Sequence, residues 1–507
     1  MKTFAIFIGG SGARVLRSLT MLLAAGVKPE GCNEIVPIVI DYDKENADLL
    51  RSKDAIERYK QIHDSVYKDI TDPTGFFSTK LSPLEGEDSF YISMEGNEVS
   101  FAKKIQYDDL NALTKKLITT LYSDWDDQDG KSLVDKNELN LNLKKGFKGN
   151  PNIGSAIFNE VLEKPAMKNF FDLIGPGDRV FISGSIFGGT GSTGIPQIVN
   201  KCRSQESKVN DAAKNAPIAL NIILPYFGLK TDNTKQDNST IDSNTFSSKS
   251  KAALYYYKNE INQKVQEVYY IGSNEVKQFD NNDGGKDQKN QAHIVELLSA
   301  MSLIEFASRE QERLKGNTKF FEYQTPDESP YTLGVFHSAN DMFKSRYLYP
   351  FKAFGYFWKH YKSNIFPNAQ KKVKDDGGFL ASAKVYYKYC FKDGVGDQFT
   401  TFKNNMEAFL FKKGENDDFS FESWLHELDF NEFRPFFLKN SYDKMINKGN
   451  RPGSFITNNT NDNIISEYDS NASTMMKDHK SANRSKQSIF IEIASVACMK
   501  LAKDQKK

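Results

Sequence analysis

The first forty-odd residues group their apolar positions into three blocks. Residues 3–8, TFAIFI, form an unbroken apolar run bounded by glycine, the pattern of a strand buried on both faces. Gly9, Gly10, Ser11 and Gly12 break the run as a turn. Residues 13–25, ARVLRSLTMLLAA, space their apolar side chains for one helix face and stop at Gly26. Residues 34–40 are a second apolar strand, which runs into Asp41, Tyr42 and Asp43. Strand, helix and strand in this order predict a βαβ unit and a parallel pair.

The same pattern returns later. Residues 180–182 are apolar and pass through Gly184, Gly188, Gly189, Gly191 and Gly194, with Thr190, Ser192 and Thr193 among them, into the helix-compatible run IPQIVNKC. Residues 217–224, PIALNIIL, predict a buried strand followed by Pro225, Tyr226 and Phe227. A helix over 251–264, a strand over 267–272 and a long apolar-periodic helix over 291–314 follow. These elements specify an α/β fold, a parallel Rossmann-like sheet with flanking helices and a long central helix. Residues 54–140 are polar and read as an insertion, with helical spacing at 56–67 and 107–122 and a hairpin over 87–101 turning near Gly96 and Asn97. Residues 230–250 form a polar loop. Beyond residue 314 the pattern is a separate, mostly helical α+β domain, 315–507. Within it, 343–366 is densely aromatic with basic residues interleaved. Both stacking on single-stranded nucleic acid and core packing against the central helix satisfy that pattern, and packing is the simpler. Residues 451–483 read as loose, and 488–500 as a terminal helix or strand.

Composition narrows the function classes. The chain has 507 residues and a formal charge of +1, so a polyanion-binding surface, and with it nucleic acid, is not expected. Cys32, Cys202, Cys390 and Cys498 show no CxxC spacing, which suggests neither a zinc site nor a disulfide framework and fits a reducing cytoplasm. No run approaches the ~20 apolar residues of a membrane span, and GGSGAR interrupts the first apolar run before it reads as a signal peptide.

The candidate chemistry lies in the glycine loops. Glycine lets backbone approach an anion closely, and free N–H groups at a helix N-terminus favour phosphate. A phosphate cradle and a tight connection are both open to a single such loop. The loop at 184–194 lacks the Gly-Lys-Ser/Thr of a Walker motif. Gly9 to Gly12 followed by Asp41 also fits a dinucleotide fold, but that reading leaves the other loops without a role. A third loop lies at 144–162, where Gly149 and Asn150 precede Pro151, a residue suited to a turn or a first helical position.

FGGTGSTGIP resembles the signature loop of the tubulin and FtsZ superfamily, GGGTGTG or GGGTGSG, which in FtsZ closes with a proline where Pro196 stands. GNPNIG is similar to the FtsZ loop GAGGNPEIG, DYDKENADLL to NTDAQAL, and the strand before Pro225 to one ending KPF. The resemblance covers residues 1–314 without the insertion. It implies GTP or GDP with Mg²⁺, held by Gly9, Gly10, Ser11, Gly12, Arg14, Gly149, Asn150, Pro151, Gly188, Gly189, Thr190, Gly191 and Ser192. Pro225 would stand near the ribose, and Asn290 or Asn274 would read the base. Asp41 and Asp43 are the candidate Mg²⁺ ligands, with a solvated acidic turn or helix cap as the other reading. FtsZ's catalytic NxDxxD is not found after Leu314; Asp327 and Glu328, in TPDESPY, are the nearest acidic cluster. The implied function is a slow GTPase, completed by a neighbouring subunit in head-to-tail filaments or oligomers. The alternative is a non-polymerising nucleotide switch acting on protein partners through the insertion or the C-terminal domain.

Overall fold

The computed structural model describes residues 1–87, 89–93, 100–125, 132–143, 146–147, 149–205, 209–230, 246–273, 277–279, 285–287, 289–323, 340–365, 397–411, 419–428, 467, 470–471, 474 and 484–504. Eight strands build the main sheet: β1 (Lys2–Ile8), β2 (Glu34–Asp41), β3 (Lys80–Leu81), β4 (Tyr91–Ser93), β5 (Arg179–Ser185), β6 (Ile218–Ile223), β7 (Glu267–Ile271) and β8 (Lys319–Tyr323). Their order in space is β8-β7-β6-β5-β1-β2-β3. β3 pairs with the start of β2 and β4 with its end, and every pairing in this sheet is parallel. From β1 the chain moves outward through β2, then crosses back to β5 and moves outward the other way. The strand order therefore reverses between β1 and β5. In open α/β sheets ligands bind at such a reversal, outside the carboxyl ends of the strands.

β1 sends Ala5 and Phe7 into one core and Phe4, Ile6 and Ile8 into the other, the two-residue period of a strand covered on both faces. The first core holds α1 (Gly9–Ala24), α2 (Ala47–Tyr67) and α5 (Ile294–Ala307); the second holds α3 (Pro151–Ile157) and α4 (Gly189–Cys202). Every residue of α5 is buried. Its two acids, Glu296 and Glu305, have partners. Glu305 accepts from Arg346 Nη1 at 2.9 Å and from Tyr347 Oη at 2.6 Å. Four later helices, α6 (Tyr349–His360), α7 (Asp397–Leu410), α8 (Phe421–Glu427) and α9 (Lys486–Asp504), join the same first core. Phe354 of α6 meets Phe76 and Phe77 edge-on, at 5.2 and 5.6 Å between ring centroids. The aromatic run at 343–366 is thus core packing where it is described.

Several boundaries differ from the sequence reading. Gly9–Gly12 are the first turn of α1, not a separate turn, because the helix starts directly off β1. α2 begins at Ala47, where Asn46 caps it. Tyr91–Ser93 pairs in parallel with β2, so the first arm of the expected hairpin belongs to the main sheet; Gly96 and Asn97 lie outside the described residues. α5 stops at Ala307, and a short 3-10 turn, Gln311–Leu314, follows it. β8, an edge strand, lies beyond residue 314. The terminal element is a helix. No helix among the described residues is long and apolar enough to cross a membrane.

Candidate functional site

A cleft lies at the carboxyl edge of the sheet, at the reversal between β1 and β5. Gly9, Gly10, Ser11 and Arg14 of α1 line one side, and Gly188, Gly189, Thr190 and Gly191 at the start of α4 line another. Gly149 enters from the loop before α3. Asp41, Asp43 and Asn290 complete the set that the sequence singled out.

The glycines are there because backbone meets backbone. A Cβ on Gly191 would stand 2.5 Å from the carbonyl oxygen of Ser185, and one on Gly189 would stand 2.7 Å from Phe147 Cβ and 3.1 Å from Asn150 N. The third loop therefore packs directly on the second. Gly9 and Gly149 have φ of +73° and +77°, the left-handed region that favours glycine. Among the described residues, neither α1 nor α4 has a side-chain cap, and neither has an acid in its first turn. α2 and α5, by contrast, are capped. Asn46 Oδ1 accepts from Asp48 N at 2.8 Å and from Leu49 N at 3.3 Å. His293 and Glu296 form a reciprocal capping box on α5. Two helix N-termini thus meet the cleft with their first-turn N–H groups lacking a side-chain acceptor, an arrangement suited to an anion.

Part of the cleft lining is acidic. Asp41 is 4% exposed, and burial, with the neighbouring Asp43 carboxylate, pushes its carboxyl up to about 7. The Asp43 N–H donates to Asp41 Oδ1 at 3.2 Å and partly opposes that shift. Asp43 accepts from Glu45 N at 3.1 Å and from Gly285 N at 2.6 Å, which ties residue 285 to the cleft. An aromatic flank is formed by Phe187, Phe227 and Phe246, with Phe187 and Phe246 centroids 4.8 Å apart.

Arg14 lines the cleft, but its guanidinium is engaged behind it. Nε lies 2.7 Å from Glu296 Oε1 and Nη1 lies 3.6 Å from Asp48 Oδ2. Nη2 donates to Tyr226 Oη, which in turn donates to Glu296 Oε1 at 3.0 Å. Desolvation opposes the charged form of Arg14, but Glu296, Tyr226 and Asp48 more than offset it and raise its pKa. Arg17, Arg51 and Glu427 extend this buried cluster, which holds three guanidiniums and three carboxylates.

Gly12 lies behind the cleft, where a Cβ would meet the Phe7 backbone at 2.8 Å. Asn150 precedes α3 and Pro151 is its first residue. The Ser192 hydroxyl donates back to the carbonyls of Gly188 and Gly189. Pro225 follows β6 and does not line the cleft. Asn274, Asp327 and Glu328 lie outside the described residues. The sequence reading missed Asn46, Asp48, Ser185 and the aromatic flank. Asn46 carried a usable signal, an Asn just ahead of an acid and an apolar run. Asp48 carried none, because its partner Arg14 is distant in the chain. Among the described residues, no group of three or more His, Cys, Asp or Glu is gathered for a metal.

No protein-family model matches the chain, and no curated protein does. Among solved structures it is similar to CetZ from Methanosaeta thermophila, at 12% identity and a TM-score of 0.24, over 61% of this chain and 52% of that one. The chain thus spans about half the length of that protein, and a likeness this slight assigns no residue and no activity.

Proposed function

We propose that the chain is a tubulin- and FtsZ-like guanine-nucleotide-binding protein, with GTP or GDP lying across the carboxyl edge of the sheet. The observation that carries this reading is the meeting of three glycine loops at the strand-order reversal, each opening a helix that has no side-chain cap among the described residues. The N–H groups of Gly9 to Ser11 and of Gly188 to Gly191 would donate to phosphate oxygens, with the Thr190 hydroxyl as a further donor. Gly149, which lines the cleft, and the adjoining Asn150 and Pro151 would meet the terminal phosphate. Asn290 is the candidate for reading the base.

The charge balance of the cleft adds a condition. Asp41, Asp43 and Asp48 line it, and the one cation lining it among the described residues, Arg14, is already matched by Glu296 and Asp48. A polyphosphate therefore needs a divalent cation. Asp41 fits that role, since its carboxylate is buried and costly to ionise without a neighbouring positive charge. Mg²⁺ prefers such a carboxylate together with phosphate oxygens and water, and when bound it would neutralise phosphate charge. Turnover would draw on Asp327 and Glu328 of a neighbouring subunit to position water, giving a slow GTPase that acts through nucleotide-dependent assembly. The lack of NxDxxD after Leu314 favours a second reading, a switch that binds nucleotide and regulates partners without polymerising. Calorimetry with GTP, GDP, ATP and NAD, each with Mg²⁺ and with EDTA, tests the proposal. Guanine nucleotides should bind best and only with Mg²⁺. Preference for NAD, or binding indifferent to Mg²⁺, would contradict it.

A further inference from the structure

One wall of the cleft is held by a carboxylate that does not line it, that of Glu427. Asn290 donates its backbone N–H and its Nδ2 to the two carboxylate oxygens of Asp48, each at 3.3 Å. Arg51 Nη2 donates to Asp48 Oδ1 and, at 2.6 Å, to the Asn290 carbonyl. Its other terminal nitrogen, Nη1, donates to Glu427 Oε1 at 2.9 Å. Glu427 Oε2 accepts from Arg17 Nη2 at 2.8 Å and from the N–H of Ala292 at 2.9 Å, just ahead of α5. Glu427 is the last residue of α8, and its side chain is 16% exposed. The same helix is anchored by Trp424, whose Nε1 donates to Ser18 Oγ of α1 at 3.3 Å.

Resting on the nucleotide reading above, we propose that Glu427 is a positioning residue of the cleft. Docking of α8 and occupancy of the cleft are then two sides of one equilibrium. The reason is charge. Arg17 is fully buried, and among the described residues its Nε and Nη1 have no hydrogen-bond partner. Among the described residues, Glu427 is its ion-pair partner and one of two for Arg51. When α8 leaves, Arg17 and Arg51 lose that carboxylate in a low-dielectric setting, a costly state, and of the two carboxylates left in the cluster Asp48 is the one already paired with Arg51. Asp48 is then drawn from Asn290, and Ala292 loses the acceptor that fixes the start of α5. By linkage, a ligand that requires Asp48 and Asn290 in place must in turn strengthen the docking of α8, by the same factor.

The test uses the full chain, with Mg·GDP as the probe. Hydrogen exchange is followed at residues 421–428 with and without ligand, and GDP affinity is measured for the wild type and Glu427→Gln. GDP should slow exchange at 421–428 in the wild type. Glu427→Gln should weaken GDP binding about tenfold, within the range of typical site-to-site coupling, and should abolish the slowing. If the variant does not fold, the wild-type exchange result decides alone. GDP binding that leaves 421–428 unaffected, or a folded variant with wild-type affinity, overturns the inference. A wild type that binds no GDP at all is a different outcome: it removes the nucleotide reading, and the positioning role goes with it.

Discussion

At the residue scale, Asp41 makes the sharpest statement. Its carboxyl is raised from an ordinary 3.8 to about 7 by burial and by Asp43. Between those values the folded chain binds more protons than the unfolded one, so this group lowers stability as pH rises from about 4 to 7. His360 acts in the opposite sense. Burial lowers it to about 4, so its contribution is lost as pH falls from about 6.5. Comparing Asp41→Asn with the wild type at each pH isolates the first effect. In EDTA the variant should gain stability at pH 8, by up to about 1.4 kcal/mol for each unit of raised pKa, and gain little at pH 4. Urea unfolding at the two pH values checks this; an equal effect at both would show that Asp41 is not held protonated by its surroundings. In the same variant, the Mg²⁺ dependence of GTP binding should fall away.

The helix ends and glycine contacts decide how much was readable at the scale of elements. β1, α1 and β2 were plain in the sequence because each is buried by local pattern alone, an apolar run or a single apolar helix face. The three glycine loops were plain because close backbone approach leaves no other residue possible at Gly191 or Gly189. β8 was not legible: KFFEY is an edge strand with Phe320 53% exposed, so it lacks the continuous apolar run of a central strand. The buried ion cluster was equally silent, since Arg51 and Glu427 are 376 positions apart; its one trace is that Arg14 and Arg17 sit within an apolar helix pattern. The helical run at 340–365 docks on α5 partly through one hydrogen bond, from Tyr347 Oη to Glu305. Tyr347→Phe removes that donor from a buried charged acceptor and should cost about 1.5–3 kcal/mol of unfolding free energy. A shift in the urea midpoint without a change in slope would show it. No shift would mean that Arg346 alone satisfies Glu305.

For the whole molecule the question is assembly and, beneath it, the nucleotide. Head-to-tail contacts are heterologous and give filaments when the rotation does not close. On the proposed reading Mg·GTP, but not Mg·GDP, should raise light scattering above a threshold protein concentration, and GTP turnover should rise with the same threshold. Fast turnover by a strictly monomeric chain would contradict a catalytic set shared between subunits. No change in sedimentation with GTP, combined with tight binding, would favour the non-polymerising switch. Both readings stand on nucleotide at the reversal between β1 and β5. Titration of Mg·GDP into the wild type and into Thr190→Val tests that directly, because Thr190 lines the cleft at the start of α4 and its hydroxyl would meet phosphate. The wild type should bind saturably and the variant should lose about 1–3 kcal/mol, the range for a buried group left unsatisfied. No binding by the wild type, or the same affinity in both proteins, would contradict it.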